Sequence, residues 1–587
     1  MLRLRRIWPY AVPYWPVFAA GFACVVLSNF FTTLVPQFLQ RGIDALGPSG
    51  SFAEVRRAML LMLGVAVAGG IARYGMRETL NGVSRRIETD LRDRLYEHLQ
   101  RLSADFYDRY ATGDLMARAT NDLLAVRMVV GPAVMYLLDT ATRTALVLPY
   151  MLLLSPSLTG IALLPLIALP IGMVTIGQAI HRRTMAVQAQ YAALTSAVHE
   201  NLSGVRIVRA YRQEAAEIAR FRTISEEYAR RNLALARVSG AFHPLLGLIG
   251  GLGAVAVIGV GGRQVMQGTL TMGEFVAYGV YLTTLVWPMI ALGWVVNLVQ
   301  RGEAAMRRLL ELFDARPAIT SPPRPVPLPA GRRARALVFE DVWFRYPNAE
   351  DRGWVLRGIS FQLEPGRALG IVGPTGAGKS TLAELIVRTY DPDRGRILLD
   401  GVDIRTLDLA ELRRNVGFVP QETFLFSDTL RHNVLLGAPD DGRLERVAEI
   451  SQLSTALPDL PAGFDTRLGE RGINLSGGQK QRAAIARALA RDPPVFVLDD
   501  ALSAVDAQTE ERILHRLRDA LARRTRVIIS HRLSAVRDAD WILVLDGGVV
   551  VEEGTHQVLM AQGGRYWELL RRQQLEHALE EDERVGR

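Results

Sequence analysis

The chain contains 587 residues, of which 49% are hydrophobic, and it carries a formal net charge of +9. Its apolar residues crowd into the first half, which is unlike a soluble protein of several similar domains. The one cysteine, Cys24, excludes an intrachain disulfide, and nothing indicates an oxidising compartment. The positive charge alone would suit a nucleic-acid-binding protein, but its distribution favours another explanation.

Six apolar runs in the first half are each about 20 residues or longer, enough to cross a ~30 Å hydrocarbon core as a helix. The first run is too long for a cleaved signal peptide, is followed by further runs, and shows no clear small-residue cleavage site. The sequence therefore predicts an all-α transmembrane domain over residues 1–313. Its six spans are expected near residues 14–39, 58–82, 129–154, 157–180, 240–266 and 274–299.

The charged loops predict the orientation of these spans. The segment 83–127 carries eight arginines and the segment 181–237 carries ten, whereas the connections 155–157 and 267–272 carry no charge. By the positive-inside rule, both long loops and both termini lie in the cytoplasm. The basic charge then faces anionic lipid headgroups, so membrane lipids are expected partners and nucleic acid is not.

Both long loops are predicted to extend the spans as helices, because Arg and Glu alternate with Leu, Val and Ala. Each loop contains helix-breaking residues at a turning point, over about 106–122 and 201–214. A solvated bend is one interpretation of each turning point. Mechanical coupling to a soluble domain on the same side of the membrane is the other.

Two ionisable residues, Asp139 and Arg143, stand four apart inside the third predicted span, a spacing at which side chains on one helix face meet. Ionisable residues within a span are costly and usually face a cavity or a partner. One interpretation is that the two charges neutralise each other and are only tolerated inside the span. The other is that they form a polar patch in a transport cavity. On the last span, Trp287, Trp294 and Asn297 are expected to pack rather than to contact a ligand.

A proline-rich linker over 314–335 is predicted to be extended and semi-rigid. After it, short Val/Ile/Leu strands alternate with amphipathic helices, which predicts an α/β domain over 336–570. The charged tail, 571–587, either forms a helix that pairs with a partner's tail or is a frayed end.

The stretch GPTGAGKST follows the apolar strand ALGIV and precedes a helical segment, the context that a phosphate-binding loop requires. Its glycines let backbone N–H groups approach phosphates, and the next helix offers its positive N-terminus. One of only two lysines in the chain stands here and is expected to meet the β- and γ-phosphates of ATP. The expected nucleotide-binding residues are Gly373, Pro374, Thr375, Gly376, Ala377, Gly378, Lys379, Ser380 and Thr381. Ser380 and Asp499, which ends the apolar strand VFVLD, are expected to ligate Mg²⁺.

A second glycine-containing motif, LSGGQKQR, opens a helix and offers donors suited to an anion through Ser476, Gly477, Gly478 and Gln479. The phosphates of this chain's nucleotide are expected to bind the loop at 373–381, so the second motif has no phosphate of its own to bind. With this motif, residues 336–570 resemble the nucleotide-binding domain of ATP-binding cassette (ABC) proteins. In that family the signature closes over ATP bound to a second, facing domain.

The resemblance implies roles for further residues. Tyr346 is similar to the aromatic that stacks on adenine, Gln421 to the glutamine that senses Mg²⁺ and the membrane domain, and His531 to the switch histidine. Asp506 resembles the residue of the loop that communicates across the dimer. With six spans before one cassette, the chain resembles half of an ABC exporter, and its turning points resemble helices that dock on the cassettes.

Asp500 departs from the family pattern, which has a Glu at this position to polarise the attacking water. Its carboxylate is shorter by one carbon–carbon bond, about 1.5 Å, and a misplacement of ~1 Å can cost on the order of 10²-fold in rate. Asymmetric members of the family combine one chain that has a weakened carboxylate and an intact signature with a partner that has the reverse. We therefore expect a bacterial inner-membrane heterodimer in which this chain builds the degenerate site. A homodimer with slow ATPase, or a regulatory or channel-type ABC protein, is the alternative.

The spans are rich in Leu, Val, Ala and Gly and contain few polar groups. This composition suits hydrophobic drugs, lipids and other amphiphiles as substrates, and it leaves peptides open. A DNA-repair ATPase is excluded by the spans. An importer is disfavoured because span and cassette are fused in one chain.

Overall fold

The structure is a computed structural model, and it describes residues 4–47, 51–347 and 353–585. Its contacts divide the chain into two compact units. The first unit comprises Met1–Gln100 and Gly113–Ala315, and the second comprises Arg101–Thr112 and Arg316–Arg587. The short segment Arg101–Thr112 therefore belongs with the C-terminal unit, although it precedes most of the helical unit in sequence.

The first unit is helical throughout its described part. Its long helices are Trp15–Asp44, Phe52–Arg101, Val134–Leu154, Pro156–Ser203, Glu214–Ala256 and Met272–Phe313. Shorter helical segments lead into or connect them: Leu4–Ile7, Trp8–Ala11, Val12–Tyr14, Thr112–Ala117, Leu123–Met128, Val205–Ala210 and Gly262–Met266. Three wider π-helical turns also occur: Arg118–Asp122, Val129–Ala133 and Val257–Gly261.

Within the described residues, four helical stretches are long and apolar enough to cross a membrane. They are Arg5–Asp44, Phe52–Arg101, Thr112–Leu154 and Met272–Phe313. The fourth and fifth predicted spans fall on long helices whose described apolar parts, Pro156–Pro165 and Gly251–Met266, are shorter. The helical transmembrane domain is confirmed, and the number of six spans stays a prediction.

Small and polar residues join these helices. Gly21 lies against Leu80 so closely that an added Cβ would be 2.6 Å from its side chain, and small residues of this kind allow close packing between membrane helices. The Tyr281 hydroxyl donates to the carbonyl oxygen of Thr33 at 2.9 Å. This hydrogen bond satisfies the buried Tyr281 hydroxyl, as an apolar environment requires.

The described part of the second unit contains two β-sheets. A four-stranded antiparallel sheet has the order β2-β1-β4-β5, and a six-stranded sheet has the order β10-β9-β3-β8-β7-β6. In the second sheet all neighbouring strands pair in parallel except β10 with β9. The strands are β1 Leu337–Phe344, β2 Leu356–Leu363, β3 Ala368–Val372, β4 Arg394–Leu399, β5 Val402–Asp403, β6 Val416–Val419, β7 Val495–Asp499, β8 Thr525–Ile529, β9 Trp541–Asp546 and β10 Val549–Gly554.

The central strands read as continuous apolar runs because the sheet is covered on both faces. Every residue of β3 and of β7 is buried. The α-helices that follow the linker are Lys379–Ile386, Leu409–Asn415, Leu430–Leu435, Arg443–Ile450, Gly477–Ala490, Ala507–Ala520, His556–Gln562 and Arg565–Val585. The last of these runs through most of the predicted tail, whose final two residues lie outside the described part.

Candidate functional site

The predicted nucleotide-binding residues meet at one edge of the six-stranded sheet. The phosphate-binding loop follows β3, Asp499 ends β7, His531 follows β8 and Gln421 follows β6. Because these strands are parallel, their carboxyl ends share an edge, which is where open α/β sheets bind ligands. A cleft of about 520 Å³ lies there. The predicted residues that line it are Tyr346, Thr375, Gly376, Gly378, Lys379, Ser380, Thr381, Gln421, Asp499, Asp500 and His531.

The phosphate-binding loop needs its glycines for two reasons. Gly378 has a φ of +95° and directly precedes the helix Lys379–Ile386. At Gly373 an added Cβ would lie 2.1 Å from the carbonyl oxygen of Leu545, so only glycine fits. Of the predicted loop residues, Gly373, Pro374 and Ala377 shape the turn without lining the cleft.

Lys379 is held within the loop by two backbone carbonyls. Its Nζ donates to the carbonyl oxygens of Gly373 and Pro374, at 2.8 Å in each case. Burial lowers the pKa of this amine, and the carboxylates of Asp500 and Asp499 oppose that shift. The ammonium group therefore stands at the cleft with backbone acceptors that anionic phosphate oxygens can replace.

Ser380 and Asp499 form the expected hydroxyl–carboxylate pair. The Ser380 Oγ donates to Asp499 Oδ1 at 3.1 Å, and Asp499 is 3% exposed. Burial raises the pKa of Asp499, although the hydrogen bond from Ser380 opposes the shift. Among the described residues no group of three His, Cys, Asp or Glu side chains could hold a metal ion unaided. Mg²⁺ commonly binds one or two protein ligands plus phosphate oxygens, and this pair fits that pattern.

Asp500 is bound on both carboxylate oxygens by a histidine. His531 Nδ1 lies 2.7 Å from Asp500 Oδ1 and 2.9 Å from Oδ2. Gln421 Nε2 donates weakly to Oδ2 at 3.5 Å. Asp500 has a φ of +47°, which is uncommon for a residue other than glycine, and its N–H donates to the Ile529 carbonyl at 2.9 Å. The backbone turn and these contacts fix the carboxylate against the histidine.

Tyr346 lies on the wall of the cleft beside the loop helix. Its hydroxyl donates to Glu384 at 2.9 Å and lies 3.0 Å from the Thr381 hydroxyl. Burial raises the pKa of Tyr346 to about 12, so the phenol is neutral at ordinary pH. The ring packs edge-on against Tyr390 with centroids 5.4 Å apart. Stacking of this ring on adenine remains a prediction.

The signature motif forms a helix start. Ser476 caps the helix Gly477–Ala490, and its Oγ accepts from the N–H of Gln479 at 3.3 Å. Gln479 Oε1 accepts in return from the N–H of Ser476 at 2.8 Å, which completes a capping box. At Gly478 an added Cβ would lie 2.9 Å from the Ala504 carbonyl oxygen. The motif thus presents an exposed, ordered N-terminus.

The signature and Asp506 do not line the cleft. The described residues lining it come from the loops after β3, β6, β7 and β8 and from the region of Tyr346, and none comes from the signature. Asp506 caps the next helix, Ala507–Ala520, by accepting from the N–H of Thr509 at 2.9 Å. That N–H stabilises the ionised carboxylate and lowers the pKa of Asp506. Within the described residues, the signature and Asp506 therefore lie apart from the cleft that the phosphate-binding loop lines.

Two residues that the sequence reasoning missed hold the loop before Asp506. Gln481 donates to the Ser503 hydroxyl and accepts from the N–H of Ala504, at 2.9 Å in both cases, and it is 4% exposed. Arg532, next to His531, donates to the carbonyl oxygens of Ser503 and Val505, at 3.3 Å in both cases, and forms an ion pair with Glu510. Gln481 stands within the stretch LSGGQKQR, but the sequence gives no signal of its role, because only the fold shows which groups it bonds.

A further missed contact ties Arg101–Thr112 to the C-terminal unit. The Tyr390 hydroxyl donates to Asp108 Oδ2 at 2.7 Å. Phe106 is 7% exposed, and Ser103 Oγ accepts from the N–H of Ile319 at 2.9 Å. Tyr390 also packs against Tyr346 on the wall of the cleft. Asp108 of the first turning point is thus connected to that wall through Tyr390.

Comparison with known families decides the assignment. Residues 18–289 match the family described as ABC transporter transmembrane region, and residues 356–503 match the family described as ABC transporter. The multidrug resistance-like ATP-binding protein MdlA of Escherichia coli strain K12 is 39% identical over 571 residues, which cover 97% of this chain and 96% of that protein. The chain belongs to the ABC exporter family.

Other members of the family are similar over almost the whole chain. The probable multidrug resistance ABC transporter ATP-binding/permease protein YheI of Bacillus subtilis strain 168 is 37% identical and covers 97% of this chain and 98% of its own. The ATP-dependent lipid A-core flippase of Syntrophus aciditrophicus strain SB is 33% identical, and the match covers 99% of this chain and 96% of that protein. The solved structure of a bacterial Atm1-family ABC exporter with ATP bound has a TM-score of 0.76 and 29% identity, and covers 95% of this chain and 99% of that one. This ABC exporter chain thus has a helical transmembrane domain, an ATP-binding domain and ATP-driven export as its family activity.

Proposed function

We propose that this ABC exporter chain is the degenerate-site subunit of a heterodimer, and that its partner's site carries most of the ATP hydrolysis. The observation that supports this most strongly is the position of Asp500. Both of its carboxylate oxygens lie within 2.9 Å of His531 Nδ1. A general base must lie within hydrogen-bond reach of the water it activates, and an Asp held back on the histidine has one methylene less with which to reach it.

The intact signature supports the second half of the proposal. Its capping box is complete, and its glycines allow the close approach of the Ala504 loop. The chain offers an ordered helix N-terminus of the kind that binds phosphate, but not to its own cleft. We therefore assign the signature to ATP held by the partner chain.

The proposed cofactors are ATP and Mg²⁺. The main-chain donors of the loop and Lys379 would hold the phosphates, whereas Ser380 and Asp499 would hold Mg²⁺ through their paired oxygens. Bound Mg²⁺ would neutralise phosphate charge. Loss of hydrolytic rate with retained binding is the expected state of such a site.

The second turning point also supports a partner chain. It exposes Leu202, Ile207 and Tyr211 by 69%, 65% and 73%. Large apolar side chains exposed within one short turn suit an interaction surface. We propose that this turn docks on a cassette of the assembled dimer, on the cytoplasmic side of a bacterial inner membrane.

The proposed cycle is alternating access. ATP closes the two cassettes, the turning points transmit closure to the spans, and hydrolysis at the partner's site resets the transporter. ATP kept at the degenerate site favours the closed state through its higher affinity for that state. The proposed substrates are hydrophobic or amphiphilic molecules. The relatives named for multidrug resistance and for lipid A-core flipping support this class.

A photolabelling experiment tests the assignment of the two sites. The purified complex is incubated with Mg²⁺ and 8-azido-ATP labelled at either the α- or the γ-phosphate, irradiated, and separated into its chains. We expect this chain to keep both labels and its partner to lose the γ-label. Equal loss of the γ-label from both chains would contradict the proposal and favour two competent sites. ATP-dependent substrate flux into proteoliposomes separates an exporter from a channel-type protein.

A further inference from the structure

Three arginines and one aspartate line a small cavity in the helical unit. The cavity has a volume of about 120 Å³, room for a few waters or one phosphate-sized group. Two of the arginines come from the helix Phe52–Arg101, and the other two charged residues come from Val134–Leu154. The lining includes Arg73, Arg77, Tyr136, Asp139, Arg143 and Trp287.

The cluster lies at membrane depth. Asp139 stands about 20 Å from the end of its helix at Leu154, at 1.5 Å per residue, within a hydrocarbon core of ~30 Å. Charged side chains at such a depth are costly, and they face a partner or a water-filled path. We therefore expect these charged side chains to have a role and not only to be tolerated inside the span.

The cluster is not self-neutralising. Arg143 Nη2 lies 3.2 Å from Asp139 Oδ1, as the four-residue spacing predicts, and each side chain is 13% exposed. The Nε of Arg143 is buried without a hydrogen-bond partner in the described structure. Arg73 and Arg77 have no acidic partner within ion-pair distance among the described residues, so the cavity carries about two surplus positive charges.

One aromatic expectation fails at this cavity. Trp287, expected to pack, is 58% exposed, whereas Trp294 packs edge-on against Tyr136 with centroids 5.2 Å apart. An exposed indole beside unpaired guanidinium groups offers an apolar surface next to an anion site. This combination suits a molecule that has both an acidic head and an apolar body.

We propose that Arg73, Arg77 and Arg143 form a substrate subsite for an anionic head group, so that the exported amphiphile carries a phosphate or a carboxylate. The proposal rests on the export function above and adds the substrate's charge to it. Arginine binds both anions through two parallel N–H groups. Asp139 pairs with Arg143 and limits the positive charge of the empty cavity.

The test measures binding of matched probes to the purified complex in nanodiscs by thermal-shift titration. One pair is lysophosphatidic acid and lysophosphatidylcholine of equal acyl length. The other pair is an apolar nonapeptide with a free C-terminal carboxylate and the same peptide as the amide. The variants are Arg77→Gln, which removes a charge without a described ion pair, and Asp139→Asn, which adds net positive charge. Arg222→Gln, an exposed arginine with no described ion pair, is the matched control.

We expect the anionic member of at least one pair to bind about tenfold tighter, the equivalent of 1.4 kcal/mol. The pair that shows the preference identifies a lipid phosphate or a peptide carboxylate as the source. Arg77→Gln should remove the preference, Asp139→Asn should increase it, and Arg222→Gln should leave it unchanged.

Two results would overturn the subsite. The first is equal binding of both members of both pairs by the wild-type complex. The second is dissociation of the complex by Arg77→Gln, seen by size-exclusion chromatography, which would assign the arginine to a carboxylate of the partner chain. ATP-driven flux of lysophosphatidylcholine and of the peptide amide, the two probes without the terminal anionic group, separates a failure of the subsite from a failure of export. Flux without anion preference overturns the subsite alone, whereas no flux of any probe, with ATP binding intact, counts against export itself.

Discussion

His531 binds Asp500 through both carboxylate oxygens, with Nδ1 at 2.7 and 2.9 Å. The side chain of Asp500 is 14% exposed, whereas that of His531 is 52% exposed. The short carboxylate is thus turned to the histidine, and the imidazole is the part of the pair that solvent reaches. The proposed degenerate site follows from this geometry, because the carboxylate is held on the histidine while the phosphate-binding loop is intact.

Lengthening the carboxylate should restore hydrolysis. In the assembled complex, Asp500→Glu is expected to raise ATP turnover at this chain's site by about ten- to a hundredfold, because a ~1 Å correction of position is of that order. Loss of the γ-label from this chain in the photolabelling assay measures it. His531→Ala in the Asp500→Glu background is the control, and it should cancel the gain. An assembled, ATP-bound Asp500→Glu complex without faster turnover would show that another feature limits the site.

The hydrogen bonds from Gln481 to the loop before Asp506 should matter more for the partner's ATP site than for the ATP site of this chain. Gln481→Leu leaves the N–H of Ala504 and the Ser503 hydroxyl without their partner, a cost of about 1–3 kcal/mol for buried groups. We expect hydrolysis at the partner's site to fall about tenfold while azido-ATP labelling of this chain stays unchanged. Gln574→Leu, at an exposed position, is the control. Equal loss of labelling on this chain would mean that Gln481 only supports its own fold.

The Tyr390 hydroxyl should matter for coupling rather than for binding. Tyr390→Phe removes the hydrogen bond to Asp108 and keeps the ring that packs on Tyr346. ATP affinity and basal ATPase are expected to stay within twofold, while transport per ATP hydrolysed falls severalfold. Tyr566→Phe removes a similar hydroxyl contact, to His556 at 2.8 Å, and serves as the control. Unchanged coupling in Tyr390→Phe would exclude this hydrogen bond from the transmission path.

Mg²⁺-dependent ATP binding should weaken on acidification earlier than an ordinary aspartate would cause. Burial raises the pKa of Asp499 above its ordinary value of 3.8, so the free site takes up a proton as the pH falls through the raised value. Mg²⁺ binds only the ionised form, and affinity is therefore full above the raised pKa and lost below it. Fluorescent ATP-analogue titrations with and without Mg²⁺ measure the difference. Asp499→Asn should abolish the pH-dependent part, and an acid limb that survives this change would assign it to another group.

The contiguous motifs could be predicted from the sequence because each one is a single loop between a strand and a helix. The loop at 373–381 and the signature at 475–482 lie where the sequence places them, and the parallel sheet brings Gln421, Asp499 and His531 to the same cleft. Their order along the chain and the shared carboxyl edge suffice for that prediction.

Contacts between distant segments could not be predicted. Tyr390 and Asp108 are separated by 282 positions, and only the packing of 101–112 in the C-terminal unit brings them together. The sequence likewise gives Asp139 and Arg143 as a pair, since their spacing is local, but not the two arginines from the neighbouring helix. Helix packing places Arg73 and Arg77 beside the neutral pair, so the cavity carries a net positive charge.

The proposed function requires that this chain assemble with a homologous chain of different sequence rather than with a second copy of itself. Native mass spectrometry of the complex extracted intact from its own membrane, with identification of each chain, tests it most directly. We expect one copy of this chain and one homologous chain that has Glu at the position of Asp500 and an altered signature. Two copies of this chain would exclude the heterodimer and leave Asp500 as the working carboxylate of both sites.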